Sequence, residues 1–156
     1  MQPGPNRVLT DHTPDLFNLV SVPLDYDPDA LEIVEWVTFM RSLWPDDDAS
    51  IALLQEWFGY VLSGRLEQQK MLLMIGPIRS GKGTIARTLE RLMGGKDNVA
   101  GPTLAQLGTN FGLASLLGKP LAIISDARLG DTPSHVVVER LLSITGEDTL
   151  DRKSVV

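Results

Sequence analysis

The feature that most constrains this chain is an apolar run, residues 71–75, that leads directly into a glycine-rich loop. The run is Met-Leu-Leu-Met-Ile and has no polar side chain within it. A short run without alternation that ends in Gly-Pro predicts a central strand buried on both faces, as in a parallel sheet. Apolar residues at helical spacing then predict a helix from Thr84 to Met93. A strand, a loop and a helix in this order favour an α/β fold.

The loop has the G-x-x-x-x-G-K spacing of a phosphate-binding loop. Its residues are Gly76, Pro77, Ile78, Arg79, Ser80, Gly81, Lys82, Gly83 and Thr84. Glycines allow several backbone N–H groups to turn towards one anion, and the helix N-terminus adds a positive field. A lysine at this position reaches the outer phosphates of a nucleotide. We therefore predict a nucleotide-binding site here; the alternative is a glycine-rich turn that opens a helix beside an exposed lysine.

One position of the loop departs from the strict motif. The residue after the lysine is normally Ser or Thr, whose hydroxyl holds magnesium. Here it is Gly83, and the hydroxyl comes one residue later, on Thr84. We expect Thr84 to be the hydroxyl near the metal.

A second candidate for the site is Asp126, which ends an apolar run at residues 121–126. A carboxylate at the C-terminal end of a neighbouring strand lies near the phosphate loop in an open α/β sheet, and it can hold magnesium through water. The alternative is an aspartate that caps a turn. Ala127 follows, where many ATPases of this class have a glutamate, so the general base is unassigned. Arg79 and Arg128 either contact phosphate or are simply solvated.

The remaining sequence divides the chain into three predicted parts. Residues 1–24 are rich in proline and predict an extended arm. Residues 25–66 predict a small helical subdomain: one helix with Asp27 as its N-cap, and a second that is capped by the aspartates at 46–48 and ended by Ser63-Gly64. Residues 67–156 predict a partial P-loop NTPase core with a parallel sheet. The tryptophans are at helical spacing and indicate core packing.

Composition excludes several classes of function. The chain has no cysteine and two histidines, which excludes a disulfide scaffold, thiol catalysis and a multi-histidine metal centre. No run reaches the 18 or so apolar residues of a membrane span, and the N-terminus does not resemble a secretory signal, so we expect a cytoplasmic protein. The net charge of −6 is concentrated in the first third, and the remainder is mildly basic. A mildly basic surface suits nucleotides or nucleic acid.

Several further segments resemble one protein family. They are DYDPDA at 25–30, LQEWFGY at 54–60, RSGKGT at 79–84, NFGL at 110–113, GKPLA at 118–122, LLSITGED at 141–148, and Lys153. Together they resemble the helicase part of the phage and plasmid primase–helicase proteins, which are superfamily 3 helicases. The resemblance extends over residues 15–153.

The resemblance implies an ATP-binding, magnesium-dependent DNA helicase that couples hydrolysis to translocation on single-stranded DNA during replication. It implies Lys82 and Asp126 as catalytic residues and self-association into a ring, usually a hexamer. Gly146-Glu147-Asp148 resembles the third family motif, which leads into a DNA-contacting hairpin, so Arg152 and Lys153 become candidate DNA contacts; ordinary solvated charge is the alternative. The family's sensor strand and arginine finger have no counterpart before Val156, so we expect an incomplete ATP site.

The sequence leaves two other functions open. A small P-loop nucleotide kinase also uses Gly-Lys-Gly-Thr, although its loop normally lies near the N-terminus and it needs an arginine-bearing lid. A non-catalytic nucleotide-binding fragment would keep the loop without turnover. The sequence leaves open whether the chain is an active enzyme.

Overall fold

The computed structural model describes residues 13–15, 20–27, 29–31, 33–128 and 133–146. These residues form helices with a small parallel sheet, an arrangement compatible with the α/β class. The elements, in chain order, are α1 (Val34–Leu43), α2 (Asp48–Leu62), α3 (Lys82–Leu92), β1 (Val99–Ala100), α4 (Leu104–Leu107), β2 (Leu121–Ala122) and α5 (Ser134–Thr145). Short 3₁₀ turns at Gly95–Asp97 and Ala114–Leu116 complete the connections.

Helices α1 and α2 form the predicted helical pair, and local chemistry sets the start of α2. Asp47 is its N-cap and accepts hydrogen bonds from the backbone N–H and the hydroxyl of Ser50. These bonds stabilise the carboxylate and lower the pKa of Asp47 below its ordinary value. Helix α1 begins later than predicted, because Asp27 instead closes a local turn by accepting the N–H of Asp29.

In the part of the chain that the structure describes, the sheet has two short parallel strands. Val99 of β1 pairs with Leu121 of β2, and Ala100 pairs with Ala122. One further bond, from Ile123 N–H to Ala100 O at 2.8 Å, extends the pairing past β2. Strand β2 occupies the start of the apolar run predicted at 121–126. Strand β1 was not predicted, since two residues carry no recognisable alternation.

Residues 71–75 differ from the prediction of a doubly buried central strand. They are not part of the sheet, and within the described residues their backbone makes no hydrogen bond to another strand. Leu72 and Met74 pack into the core, whereas Leu73 is 72% and Ile75 is 86% exposed. The physical reason is that no described strand lies beside them. The segment therefore buries one face only.

The described residues form two core clusters, which meet along α3. The first is built on Met40, Leu54 and Ile85, and joins the helical pair to the first turns of α3. The second is built on Leu89, Met93 and Val99, and joins the end of α3 to the sheet. The predicted core role of the tryptophans is confirmed: Trp36 and Trp44 pack in the first cluster, and Trp57 in the second. Helix α3 is thus held on both sides, which fixes the loop at its N-terminus.

The one-sided burial of residues 71–75 predicts different costs for two adjacent leucines. We expect Leu72→Ala to lower the free energy of unfolding by about 2 kcal/mol, because its side chain packs against the first cluster. Leu73→Ala should cost less than about 0.5 kcal/mol, because this side chain is mostly in solvent. Urea unfolding of the two variants measures both values. Equal losses would show that the segment is buried on both faces in solution, as the sequence alone predicts.

Candidate phosphate-binding site

The glycine-rich loop connects residues 71–75 to α3. Two of its residues have a left-handed backbone conformation. Arg79 has φ +64° and Gly81 has φ +82°. Gly81 is the N-cap of α3, which therefore begins at Lys82, two residues before the predicted start. A Cβ on Gly81 would lie 2.8 and 2.9 Å from the two Leu43 methyl carbons. Glycine thus supplies both the conformation and the close contact between the loop and α1.

Lys82 lies at the centre of the loop. Its Nζ donates to Gly76 O at 2.7 Å, to Pro77 O at 2.7 Å and to Ser80 Oγ at 3.0 Å. The loop therefore wraps around the ammonium group, which is partly buried. A Cβ on Gly76 would lie 2.9 Å from Ser80 Oγ, so glycine at this position keeps the wrapping tight. The residues at the predicted spacing are brought together around one positive charge.

Several backbone N–H groups of the loop make no hydrogen bond to the described residues. Helix α3 has no side-chain N-cap bond, and its first internal bonds are from Thr84 and Ile85 N–H to Gly81 O. In the described part of the chain, the N–H groups from Ile78 to Gly83 donate to no protein acceptor. Unpaired N–H groups at a helix N-terminus, together with a lysine, attract an anion. Ile78 is 93% exposed, so the loop is accessible from solvent.

Arg87 is a further residue at this site, and the motif alone does not indicate it. Its Nη2 donates to Thr84 Oγ1 at 3.3 Å, and its Nη1 lies 3.2 Å from the position of a Cβ on Gly83. The guanidinium therefore lies over the first turn of α3, the turn that begins at Lys82. Among the described residues it forms no ion pair with a carboxylate. The available signal was the helical spacing of three between Thr84 and Arg87, which places both side chains on one helix face.

Asp126 lies four residues past the end of β2, whereas the sequence predicted it as the last residue of a strand at 121–126. Its Oδ2 is 2.9 Å from Arg128 Nε, and its side chain is 63% exposed. Within the residues that the structure describes, Asp126 has no hydrogen bond to the loop. Arg128 is thus engaged with Asp126, and the predicted proximity of Asp126 to the loop stays a prediction.

The oxygen atoms predicted to hold magnesium each contact a guanidinium. Thr84 Oγ1 accepts from Arg87, and Asp126 is paired with Arg128. The described residues contain no group of three or more acidic or histidine side chains placed to hold a metal ion. Two hydroxyl or carboxylate oxygens that already contact cations are a poor fit for a directly bound divalent cation.

The predicted DNA contacts Arg152 and Lys153, and the acidic pair Glu147 and Asp148, lie outside the described residues. The end of α5 is described, and Gly146 O accepts from Gln69 Nε2 at 3.5 Å. The end of α5 therefore lies next to Gln69, just before residues 71–75, which lead into the loop.

A separate cleft of about 410 Å³ lies between α3 and the sheet. It is lined by Glu90, Lys96, Ile123, Ser125 and the residues of β1 with Gly101. None of the loop residues lines it, so the cleft is separate from the loop.

No protein-family model, curated protein or solved structure matches this chain. In the described ranges, no helix has the length and apolar character needed to cross a membrane. The assignment of the loop therefore depends on its residues and their geometry.

Proposed function

We propose that the chain binds the phosphates of ATP through residues 76–84, as the ATP-binding part of a replicative DNA helicase of the primase–helicase type. In this proposal the core is a P-loop NTPase, and the parent activity is ATP-driven translocation on single-stranded DNA by a ring of subunits. The helicase part of the proposal is supported by the family resemblance of the sequence, and the phosphate-binding part by the geometry of the loop.

The observation that carries the proposal is the position of the Lys82 ammonium. Three loop oxygens hold it at hydrogen-bond distance, next to backbone N–H groups that, within the described residues, have no protein acceptor. A phosphoryl group in this loop would meet the lysine and the N–H groups together. Such preorganised donors stabilise the charge that develops on a transferred phosphoryl group.

A second candidate is nucleotide binding without turnover. The specific observation in its favour is that Asp126 is paired with Arg128, and that no described carboxylate is hydrogen-bonded to the loop. Magnesium at Thr84 and Asp126 stays a prediction of the motif. Both oxygens already contact a guanidinium.

Replacement of Lys82 tests the proposal. We expect the chain to bind ATP, and Lys82→Ala to weaken that binding about 100-fold, because the variant loses the charge at the centre of the loop. Titration calorimetry with ATP measures this change. Lys70→Ala is the matched control, since Lys70 is an exposed lysine outside the loop; it should alter the affinity less than about twofold.

Hydrolysis measured with and without single-stranded DNA separates the two candidates. Turnover that DNA stimulates and Lys82→Ala abolishes supports the helicase. Binding without turnover supports the non-catalytic alternative. Failure of the chain to bind ATP, with urea unfolding showing that it is folded, would overturn the proposal as a whole.

A further inference from the structure

We infer that Arg87 of α3 is a second side chain that contacts phosphate at the loop, and that it takes the place of the metal-binding hydroxyl of the strict motif. This inference rests on the proposed binding of ATP at residues 76–84. It adds a specificity residue that the motif does not contain: one that recognises the charge of a polyphosphate chain directly.

The Arg87 guanidinium occupies the space next to Gly83. In the strict motif this position carries the Ser or Thr side chain that holds magnesium. Here a Cβ would lie 3.2 Å from Arg87 Nη1 and 3.9 Å from Arg87 Cζ, so the guanidinium occupies the region into which that side chain would project. Gly83 and Arg87 are therefore related, because the absence of a side chain at residue 83 leaves room for the guanidinium.

The neighbouring hydroxyl, on Thr84, is also in contact with Arg87. Thr84 Oγ1 accepts a hydrogen bond from Arg87 Nη2 at 3.3 Å. A guanidinium at this distance repels a divalent cation, and its planar donors suit the oxygens of a phosphate group. The first turn of α3 therefore presents a cation where the motif predicts a bound metal.

The positive charge of Arg87 has no carboxylate partner among the described residues. Within the described residues its guanidinium has the Thr84 hydroxyl as a partner but no carboxylate, so its charge is not neutralised by that part of the chain. Lys82, five positions earlier, is also paired only with neutral oxygens there. Two positive charges without a described carboxylate partner, one within the loop and one over the first turn of α3, favour a ligand with several negative charges, such as a nucleoside triphosphate, over a monophosphate.

The test compares charge variants on α3 by titration with ATP, AMP and inorganic tripolyphosphate in magnesium and in EDTA. We expect Arg87→Gln to weaken ATP and tripolyphosphate binding about tenfold and AMP binding less than about threefold. Arg87→Lys should restore most of the affinity. The matched control is Arg91→Gln, an exposed arginine one turn further along α3, which should stay within about twofold of the parent chain.

A second variant tests the substitution of arginine for the hydroxyl. Gly83→Ser places a side chain where the guanidinium lies, which the flexible end of Arg87 can vacate. We expect magnesium to strengthen ATP binding at least about fivefold more in Gly83→Ser than in the parent chain, because a hydroxyl at this position can hold the metal. Thr84→Val in the parent chain should change the magnesium dependence less than about twofold. An unchanged magnesium dependence in Gly83→Ser would contradict the exchange of hydroxyl for arginine.

The outcomes separate this inference from the proposed function. If Lys82→Ala weakens ATP binding while Arg87→Gln behaves like Arg91→Gln, the loop binds ATP but Arg87 has no part in it, and the inference is wrong. An equal loss for ATP and AMP in Arg87→Gln would also overturn it, since it would indicate a structural role. If the parent chain binds neither ATP nor tripolyphosphate, the proposed function fails, and this inference fails with it.

Discussion

Gly112→Ala is expected to destabilise the chain more than any other single methyl addition at a glycine that the structure describes. An added Cβ would lie 1.8 Å from Gln106 O, 2.8 Å from Gln106 C and 2.9 Å from Leu107 Cα. These are backbone atoms, which cannot rotate away as the end of a side chain can. The Gln106 carbonyl is also held in place, because it accepts from the N–H and the hydroxyl of Thr109. We expect a loss of about 3–5 kcal/mol in the free energy of unfolding.

The matched control is Gly59→Ala, which should have the opposite sign. Gly59 lies within α2, and a Cβ there would meet nothing within 4 Å. Alanine favours a helix interior over glycine by roughly 0.5–1 kcal/mol, so this variant should gain about that much stability. Urea unfolding followed by circular dichroism measures both. A loss below about 1 kcal/mol for Gly112→Ala would contradict the close approach of residues 106 and 112.

The parts of the fold that could be predicted from the sequence are those that local chemistry sets. Helix α2 is bounded as predicted because its N-cap at Asp47 and its C-cap at Ser63 are formed by neighbours in sequence. The loop was predicted because its glycines and lysine have a fixed spacing, and the structure places Lys82 among the loop oxygens. Both depend on contacts within a few residues.

The parts that could not be predicted depend on partners distant in sequence. An apolar run such as residues 71–75 indicates burial, but which face is buried depends on the elements beside it. Leu72 and Met74 meet the helical pair, and Leu73 and Ile75 meet solvent. Strand β1 has only two residues, and it is defined by its pairing with β2 across twenty-two positions of sequence.

Arg87 was missed for a different reason. Its position is visible only once its side chain is seen to fold back along α3 over Gly83 and Thr84. The sequence showed the departure at Gly83 without a cause. In the structure, the guanidinium of the residue four positions further along the same helix lies where a side chain on residue 83 would project.

Gly81→Ala is the second change with a large expected effect, and it links the core to the loop. Gly81 has φ +82°, which costs an alanine roughly 1–2 kcal/mol. Its Cβ would also lie 2.8 and 2.9 Å from the methyl carbons of Leu43 and 3.2 Å from Phe39 Cζ, in the first core cluster. We expect a total loss of about 2–4 kcal/mol in the free energy of unfolding, measured with urea. ATP binding should fall as well, because the turn that positions Lys82 must shift.

Gly64→Ala separates the two causes. Gly64 has φ +65°, but a Cβ there would meet nothing within 4 Å. This variant should therefore lose only the roughly 1–2 kcal/mol of the backbone conformation and keep its affinity for ATP. If Gly64→Ala and Gly81→Ala cost the same, the contact between the loop and α1 is absent in solution.

A double-mutant cycle with Leu43→Ala locates the remaining cost. Removal of the Leu43 methyl carbons takes away the closest contacts that an alanine at position 81 would make, so the two substitutions together should cost at least about 1 kcal/mol less than the sum of each alone. The left-handed φ of residue 81 is unchanged by that removal, so stability should not return fully. Affinity for ATP should recover with the stability that does return, because the same contact would otherwise push the turn before Lys82 away from α1. Recovery of stability without recovery of affinity would mean that the backbone conformation at residue 81, rather than its packing against α1, positions the lysine.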